Sequence, residues 1–161
     1  MADYSGAGRT DALHIENLGV DDECEKSFKE LKMKRKYRYI SYGIDVKSKL
    51  VKVFDKGDHA ESFDNFINSL PPAQCRYVVY DHEFMKDGRK QDKLLFITWC
   101  PRSADTNTKM LYATERPRVA EWIVGAFQVN ADSVGEIKDY LGLDAGSDED
   151  IAPDDDAWLS D

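Results

Sequence analysis

The stretch that most constrains this chain is Leu94-Leu95-Phe96-Ile97-Thr98-Trp99, followed by Cys100-Pro101. Apart from Thr98, it is apolar at every position, so both faces of an extended segment would need cover. That places it in the interior of a sheet with layers on either side. Pro101 has no N–H to give a ladder and ends the strand. Ser103 is suited to cap a following helix, with Asp105 in its first turn where a negative charge complements the exposed amides. That helix would carry Lys109 and Met110 side by side.

The rest of the chain supplies the cover. Residues 1–15 show no periodicity and read as a mobile arm. From Asp21 or Asp22, either of which can cap, Cys24, Phe28 and Leu31 fall at i, i+4 and i+7, one apolar stripe of a helix. Lys32, Lys34 and Arg35 crowd its end, where cations suit exposed carbonyls. Tyr37–Ile44 and Leu50–Phe54 read as strands joined by a turn at Asp45–Ser48, with Gly57-Asp58 breaking the second. Phe63, Phe66, Ile67 and Leu70 give a short amphipathic helix stopped by Pro71-Pro72. Cys75–Asp81 is a third strand, and His82–Asp92, with Asp87-Gly88, a projecting hairpin. Thr114 is placed as the cap of a further helix, with Pro117 in its first turn. Its buried stripe would be Val119, Ile123 and Ala126 or Phe127, with Trp122 at the edge. Ser133–Leu141 is the last helix, buried through Val134, Ile137 and Leu141 and closed by Gly142. The expected architecture is a single α/β domain over residues 16–143, one sheet covered by helices on both faces, with the strand order left open.

The formal charge of −9 over 161 residues is concentrated in one place. Residues 144–161 hold eight carboxylates and no Lys or Arg, and with these set aside the remainder carries only −1. This segment is too acidic to pack alone and reads as a disordered tail, in which Trp158-Leu159 is either a docking element or a chance pair. The eight carboxylates either fold back over basic groups or serve solubility. The near-neutral body gives no basis for nucleic-acid binding. Neither a secretory signal nor a run long enough to span a bilayer is present. Three widely spaced cysteines, Cys24, Cys75 and Cys100, argue for buried thiols in a reducing compartment.

An enzymatic reading finds no anchor. His82 lies beside Asp81 and Glu83, and Cys75 or Ser103 is available as a nucleophile. No nucleophile elbow, phosphate loop or helical His pair connects them. His14, His59 and His82 fall on polar stretches and are expected in solvent. No catalytic residue, metal ligand or cofactor is assigned. A binding reading has more behind it: a long cation beside an adaptable thioether suits a protein interface. On spacing alone, Met110 fits a core position slightly better.

Three segments in register carry a resemblance. They are Phe96-Ile97-Thr98-Trp99-Cys100-Pro101 with Lys109-Met110-Leu111-Tyr112-Ala113; Asp22-Glu23-Cys24, Phe28, Glu30-Leu31-Lys32 with Arg38-Tyr39-Ile40; and Cys75-Arg76-Tyr77 with Tyr80-Asp81. Their order and spacing resemble the ADF/cofilin family of actin-binding proteins over roughly residues 18–141. The resemblance implies a mixed sheet of about five strands with four main helices. It also implies a monomeric, cytoplasmic, cytoskeleton-associated protein that binds actin and promotes filament disassembly and turnover. The alternative it leaves is a regulator of the same fold that binds the actin-branching complex.

Carried over by position, the monomer-binding surface would comprise Leu18, Gly19, Val20, Lys109, Met110 and Arg116. A second, filament-binding surface would use Lys93 and Glu136. Several family charges are missing: Asn107 replaces a common cation, Pro117 a common Asp, Ala120-Glu121 a frequent basic pair, Gln91 a basic residue, and Ile137 and Tyr140 stand where Arg often lies. Weaker filament binding is therefore expected. Family regulation by phosphorylation would fall on Glu16 in this register, so either the switch is absent here or the arm repositions Ser5 as the site. Phosphoinositide competition, another family trait, would use the cluster from Lys32 to Arg38, although the acidic tail would repel the same lipids.

Overall fold

The computed structural model describes Ile15 and residues 17–142. Ser5, Glu16 and the segment 144–161 with Trp158-Leu159 lie outside the described residues. In chain order the elements are β1 (Gly19–Val20), α1 (Asp22–Lys34), β2 (Tyr37–Asp45), β3 (Leu50–Asp58), α2 (Phe63–Ser69), β4 (Arg76–Lys86), β5 (Arg89–Trp99), α3 (Thr106–Ala120), β6 (Ala126–Ala131) and α4 (Val134–Leu141). They form one six-stranded mixed sheet in the order β1-β3-β2-β4-β5-β6. The two edge strands pair in parallel, β1 with β3 and β6 with β5, and the inner pairs are antiparallel.

The two-faced strand behaves as its sequence requires. On one side of β5, Leu94 and Phe96 join a core built on Cys24, Phe28 and Leu31 of α1 and Leu111, Tyr112 and Val119 of α3. On the other, Leu95, Ile97 and Trp99 join Phe66 and Leu70 with Ile137 and Leu141 of α4. Each such buried side chain contributes about 1.5–3 kcal/mol relative to exposure, so β5 stabilises both layers at once. At its end the Trp99 indole N–H donates to the Pro71 carbonyl at 2.7 Å, fastening the strand to the exit of α2.

Five local expectations are corrected. Gly57 does not break β3; the strand runs through it and ends at Asp58, and Gly57 lies under the Tyr39 ring, where a Cβ would come within 2.7 Å of ring carbon. Glycine is there for close approach, not as a breaker. The expected helix cap Ser103 instead donates to the Pro72 carbonyl at 2.8 Å, while Asp105 caps α3 by accepting from the Thr108 N–H at 3.1 Å. No new helix starts at Thr114: α3 continues to Ala120 with Pro117 inside it on the exposed side. Ala126 and Phe127 do not extend a helical stripe. After Gly125, at φ +85°, the chain enters β6, whose Val129 and Ala131 pack at a spacing of two. Ile15, read as part of the arm, is 8% exposed and belongs to the first core.

The projecting hairpin is a continuation of the sheet. Strands β4 and β5 stay paired out to Lys86 opposite Arg89, and Asp87 (φ 53°) and Gly88 (φ 75°) make the two-residue turn. Two consecutive left-handed residues are what a tight hairpin between twisted strands needs.

Candidate functional site: the α3 face

Helix α3 is fixed to the sheet through Tyr112. Its hydroxyl accepts the Ile44 N–H of β2 at 2.8 Å, and its carbonyl accepts the Tyr77 hydroxyl of β4. Burial pushes both tyrosine hydroxyls above their ordinary pKa, so they remain neutral. Leu111, Tyr112, Glu115 and Val119 are buried, while Met110, Ala113, Thr114, Pro117 and Arg118 are exposed. Met110 is 47% exposed and belongs to neither core, which removes the reading of it as a packing residue. Lys109, half-buried, donates to the Arg102 carbonyl at 3.1 Å. Arg116, two turns further on, reaches the Asn130 side-chain carbonyl at 3.4 Å.

Lys109 and Arg116 stand along one wall of an open cleft of about 350 Å³, whose far wall is the end of β5 and β6. Cys100, Asn130 and Asp132 also line it. Asp132 of this lining pairs with the exposed Arg102 at 3.0 Å. The hydrogen bond from Arg102 lowers the Asp132 pKa, and the same bond raises that of Arg102. Arg102, Asn130 and Asp132 were not singled out from sequence. The last two are placed by β6, and its alternation of Val129 and Ala131 was the signal available.

The remaining expected contacts divide. Leu18 is 3% exposed and sits in the first core, so it is not presented at the surface as a contact. Gly19 and Val20, half-buried, form the short edge strand along β3, at the opposite edge of the sheet from β6. On the other expected surface, the Lys93 ammonium lies over two rings, 5.5 Å from Phe127 and 5.3 Å from Tyr140. Glu136 accepts the Asp132 N–H at 2.6 Å while its own N–H donates to the N-cap Ser133 hydroxyl, so it ties the start of α4 to the residue that precedes the cap. Ile137, at a position read as a missing charge, is 1% exposed.

Four members of the basic run at the end of α1 and beyond it have partners within the fold. Lys32 donates to the Val124 carbonyl at 2.9 Å, and Lys36 pairs with Glu30 at 3.7 Å. Arg35 reaches Asp81, Glu83 and Asp92, and Arg38 reaches Glu83. Of the histidines expected in solvent, His82 is buried and His59 is half-buried. His82 is 7% exposed, its ring stacked on Phe84, and His59 lies 3.1 Å from Glu83. His59, Asp81 and Glu83 approach one another within 4.8 Å, but guanidinium groups already hold the carboxylates.

Residues 17–141 match the family model described as cofilin/tropomyosin-type actin-binding protein. The chain is 36% identical over 131 residues to actin-depolymerizing factor 11 of Oryza sativa, covering 80% of this chain and 90% of that protein. It is 42% identical over 128 residues to actin-depolymerizing factor 2 of Petunia hybrida, covering 79% and 87%. Among solved structures, actin depolymerization factor 2 of Plasmodium berghei superposes with a TM-score of 0.67 at 29% identity, over 80% of this chain and 96% of that one. The cofilin of Streptomyces griseoflavus gives 0.67 at 28%, over 73% and 88%. A protein with this sheet order, with Lys109 and Met110 presented by the helix after the buried Trp99, and with these relatives, belongs to the ADF/cofilin family of actin-binding proteins.

Proposed function

We propose that this protein binds actin monomers through the outer face of α3 and promotes filament disassembly and turnover, acting as a non-enzymatic, monomeric, cytoplasmic component of the cytoskeleton. The observation that carries the reading is Met110: a large apolar side chain left about half exposed beside Lys109, on a helix immobilised by Tyr112. An adaptable thioether next to a cation on a rigid support is suited to an interface core. Arg116 on the same helix would extend the contact, with Gly19 and Val20 of the edge strand as a second element. The alternative of a regulator binding the actin-branching complex is not favoured, since the relatives reported above carry names of actin-depolymerizing factors.

Filament binding is the weaker half of the proposal. Lys93 is held over two rings and Glu136 accepts the Asp132 N–H, so both would have to leave existing partners to meet a filament. Phosphoinositide competition loses support for the same reason, because Lys32, Arg35, Lys36 and Arg38 already have partners. Phosphorylation of Ser5 stays a proposal resting on the arm's sequence.

The test is binding to monomeric actin loaded with ADP or ATP, beside a filament sedimentation assay. The double variant Lys109→Ala/Met110→Ala is expected to lose about 2 kcal/mol or more of monomer affinity, roughly thirtyfold. Undiminished monomer binding by a folded double variant would refute the placement of the site.

A further inference from the structure

Strands β4 and β5 pair from Lys86 opposite Arg89 to Arg76 opposite Trp99. One step further, the same register sets Cys75 opposite Cys100. The Cys100 N–H turns away from β4 and donates to the Ala131 carbonyl at 3.0 Å. In an antiparallel ladder a residue's N–H and C=O point to the same side. Cys75 and Cys100 are therefore a non-hydrogen-bonded pair, the kind whose Cα atoms lie about 4.5 Å apart with side chains at their closest. That separation falls within the roughly 4.4–6.8 Å that a disulfide spans. Both side chains belong to the α1–α3 face of the sheet.

The two thiols have different surroundings. Cys75 is 1% exposed, whereas Cys100 is half-buried and opens into the cleft beside Lys109 and Arg116. The hydrogen bond from Cys75, helped by the Lys109 charge, lowers the Cys100 pKa against the opposing effect of burial, and the same bond raises that of Cys75. Cys24 provides an internal contrast: it is 0% exposed, donates to the Val51 carbonyl at 3.2 Å, and burial pushes it up to about 12. An accessible thiol favoured as thiolate beside a cation, with a second thiol against it, is the arrangement of a resolvable oxidation site.

We propose that Cys100 and Cys75 form a modification site for hydroperoxides, in which Cys100 is oxidised first and Cys75 resolves it to a cross-strand disulfide. The Cys100 thiolate attacks one oxygen of hydrogen peroxide; the O–O bond breaks, leaving a sulfenic acid and hydroxide. That hydroxide takes the Cys75 proton and becomes water. The Cys75 sulfur then attacks the Cys100 sulfur, the S–O bond breaks, the S–S bond forms, and the departing hydroxide is protonated to a second water. The proton is the one that Cys100 gave up on becoming a thiolate. Two thiols are oxidised by two electrons in all, and the peroxide is reduced to water.

The test uses the full chain, hydrogen peroxide, alkylation after denaturation, and peptide mass mapping, since trypsin places the three cysteines on separate peptides. The wild-type protein is expected to consume Cys100 at least about tenfold faster than Cys24 and to yield a Cys75–Cys100 cross-linked peptide within one chain. In Cys75→Ser, Cys100 is expected to accumulate as sulfenic acid, captured by a dimedone-type probe, and in Lys109→Gln to react several-fold more slowly. The proposal is overturned if Cys24 keeps pace with Cys100, if the oxidised product is a dimer linked through Cys100, or if wild-type Cys100 stops at sulfenic acid. These three outcomes are read on the wild-type protein, so they stand even if a variant fails to fold, and none of them depends on actin binding.

Discussion

The Arg35 guanidinium, on the left-handed residue that ends α1, lies 2.8 Å from the carboxylate of Asp81, whose side chain is fully buried in β4. Burial raises the Asp81 pKa, and Arg35 opposes that rise. The pair joins the end of a surface helix to the middle of the sheet, and Glu83 and Asp92 share the same guanidinium. Breaking one side of a buried pair leaves a charge without compensation and typically costs about 3–5 kcal/mol. Arg38 stays nearby, so Arg35→Ala is expected at the lower end, about 3 kcal/mol, measured by urea unfolding at neutral pH. Asp81→Asn should cost less, and the double variant should be more stable than Arg35→Ala alone. A double variant no better than the single one would show that Arg35 acts by packing.

His82 gives the protein an acid sensitivity of its own. Burial lowers its pKa from 6.5 to about 4, with the charges of Lys93 and Arg38 adding to the effect and Glu83 opposing it. Between those values the unfolded chain binds the proton and the folded chain does not. Stability from this group is therefore complete above pH 6.5 and is lost as pH falls toward 4. From pH 7 to pH 5 the linkage amounts to about 2 kcal/mol. Denaturant midpoints at the two pH values should show that loss in the wild type and much less of it in His82→Gln. Equal pH dependence in both proteins would assign the loss to other groups.

These two cases mark where sequence reading reaches its limit. The two-faced β5, the stripe of Cys24, Phe28 and Leu31, and the last helix were legible because their apolar periods match what the fold buries. Met110 and Lys109 were legible through the motif that follows Trp99. His82 was misread because local polarity says nothing of how far a side chain is covered in the fold: it is 7% exposed, with the rings of Tyr80 and Phe84, two residues away on either side of it in β4, against its own. Strand β6 was missed for a related reason. Phe127 and Gln128 are exposed, so only Val129 and Ala131 carried the alternation. Without β6, the partners of Arg102 and Arg116 in the cleft had no visible location.

Pro117 reads as a helix start because its missing N–H is tolerated there, yet it sits within α3, three residues before the end. The Ala113 carbonyl one turn earlier thus lacks its helical donor, and the ring crowds it. Pro117 is exposed, so replacement opens no cavity. Pro117→Ala is expected to raise stability by about 1–3 kcal/mol, seen as a higher denaturant midpoint with unchanged slope. No gain would mean that the backbone at Ala113 is satisfied as it stands.

The filament surface offers a gain-of-function test. Tyr140, 42% exposed, supplies one of the two rings over which Lys93 lies, at a position where the family often carries Arg. Tyr140→Arg removes that ring and adds a second cation, without touching the buried Ile137 and Leu141 that hold α4 to the sheet. An added charge contact at an interface rim is worth up to about 1 kcal/mol, or roughly fivefold in affinity. Co-sedimentation with filaments is therefore expected to be weak for the wild type, several-fold stronger for Tyr140→Arg, and weaker still for Lys93→Ala. Monomer binding should stay the same in all three, because these residues lie away from α3. Strong wild-type co-sedimentation that neither substitution alters would show that filament contact uses another face.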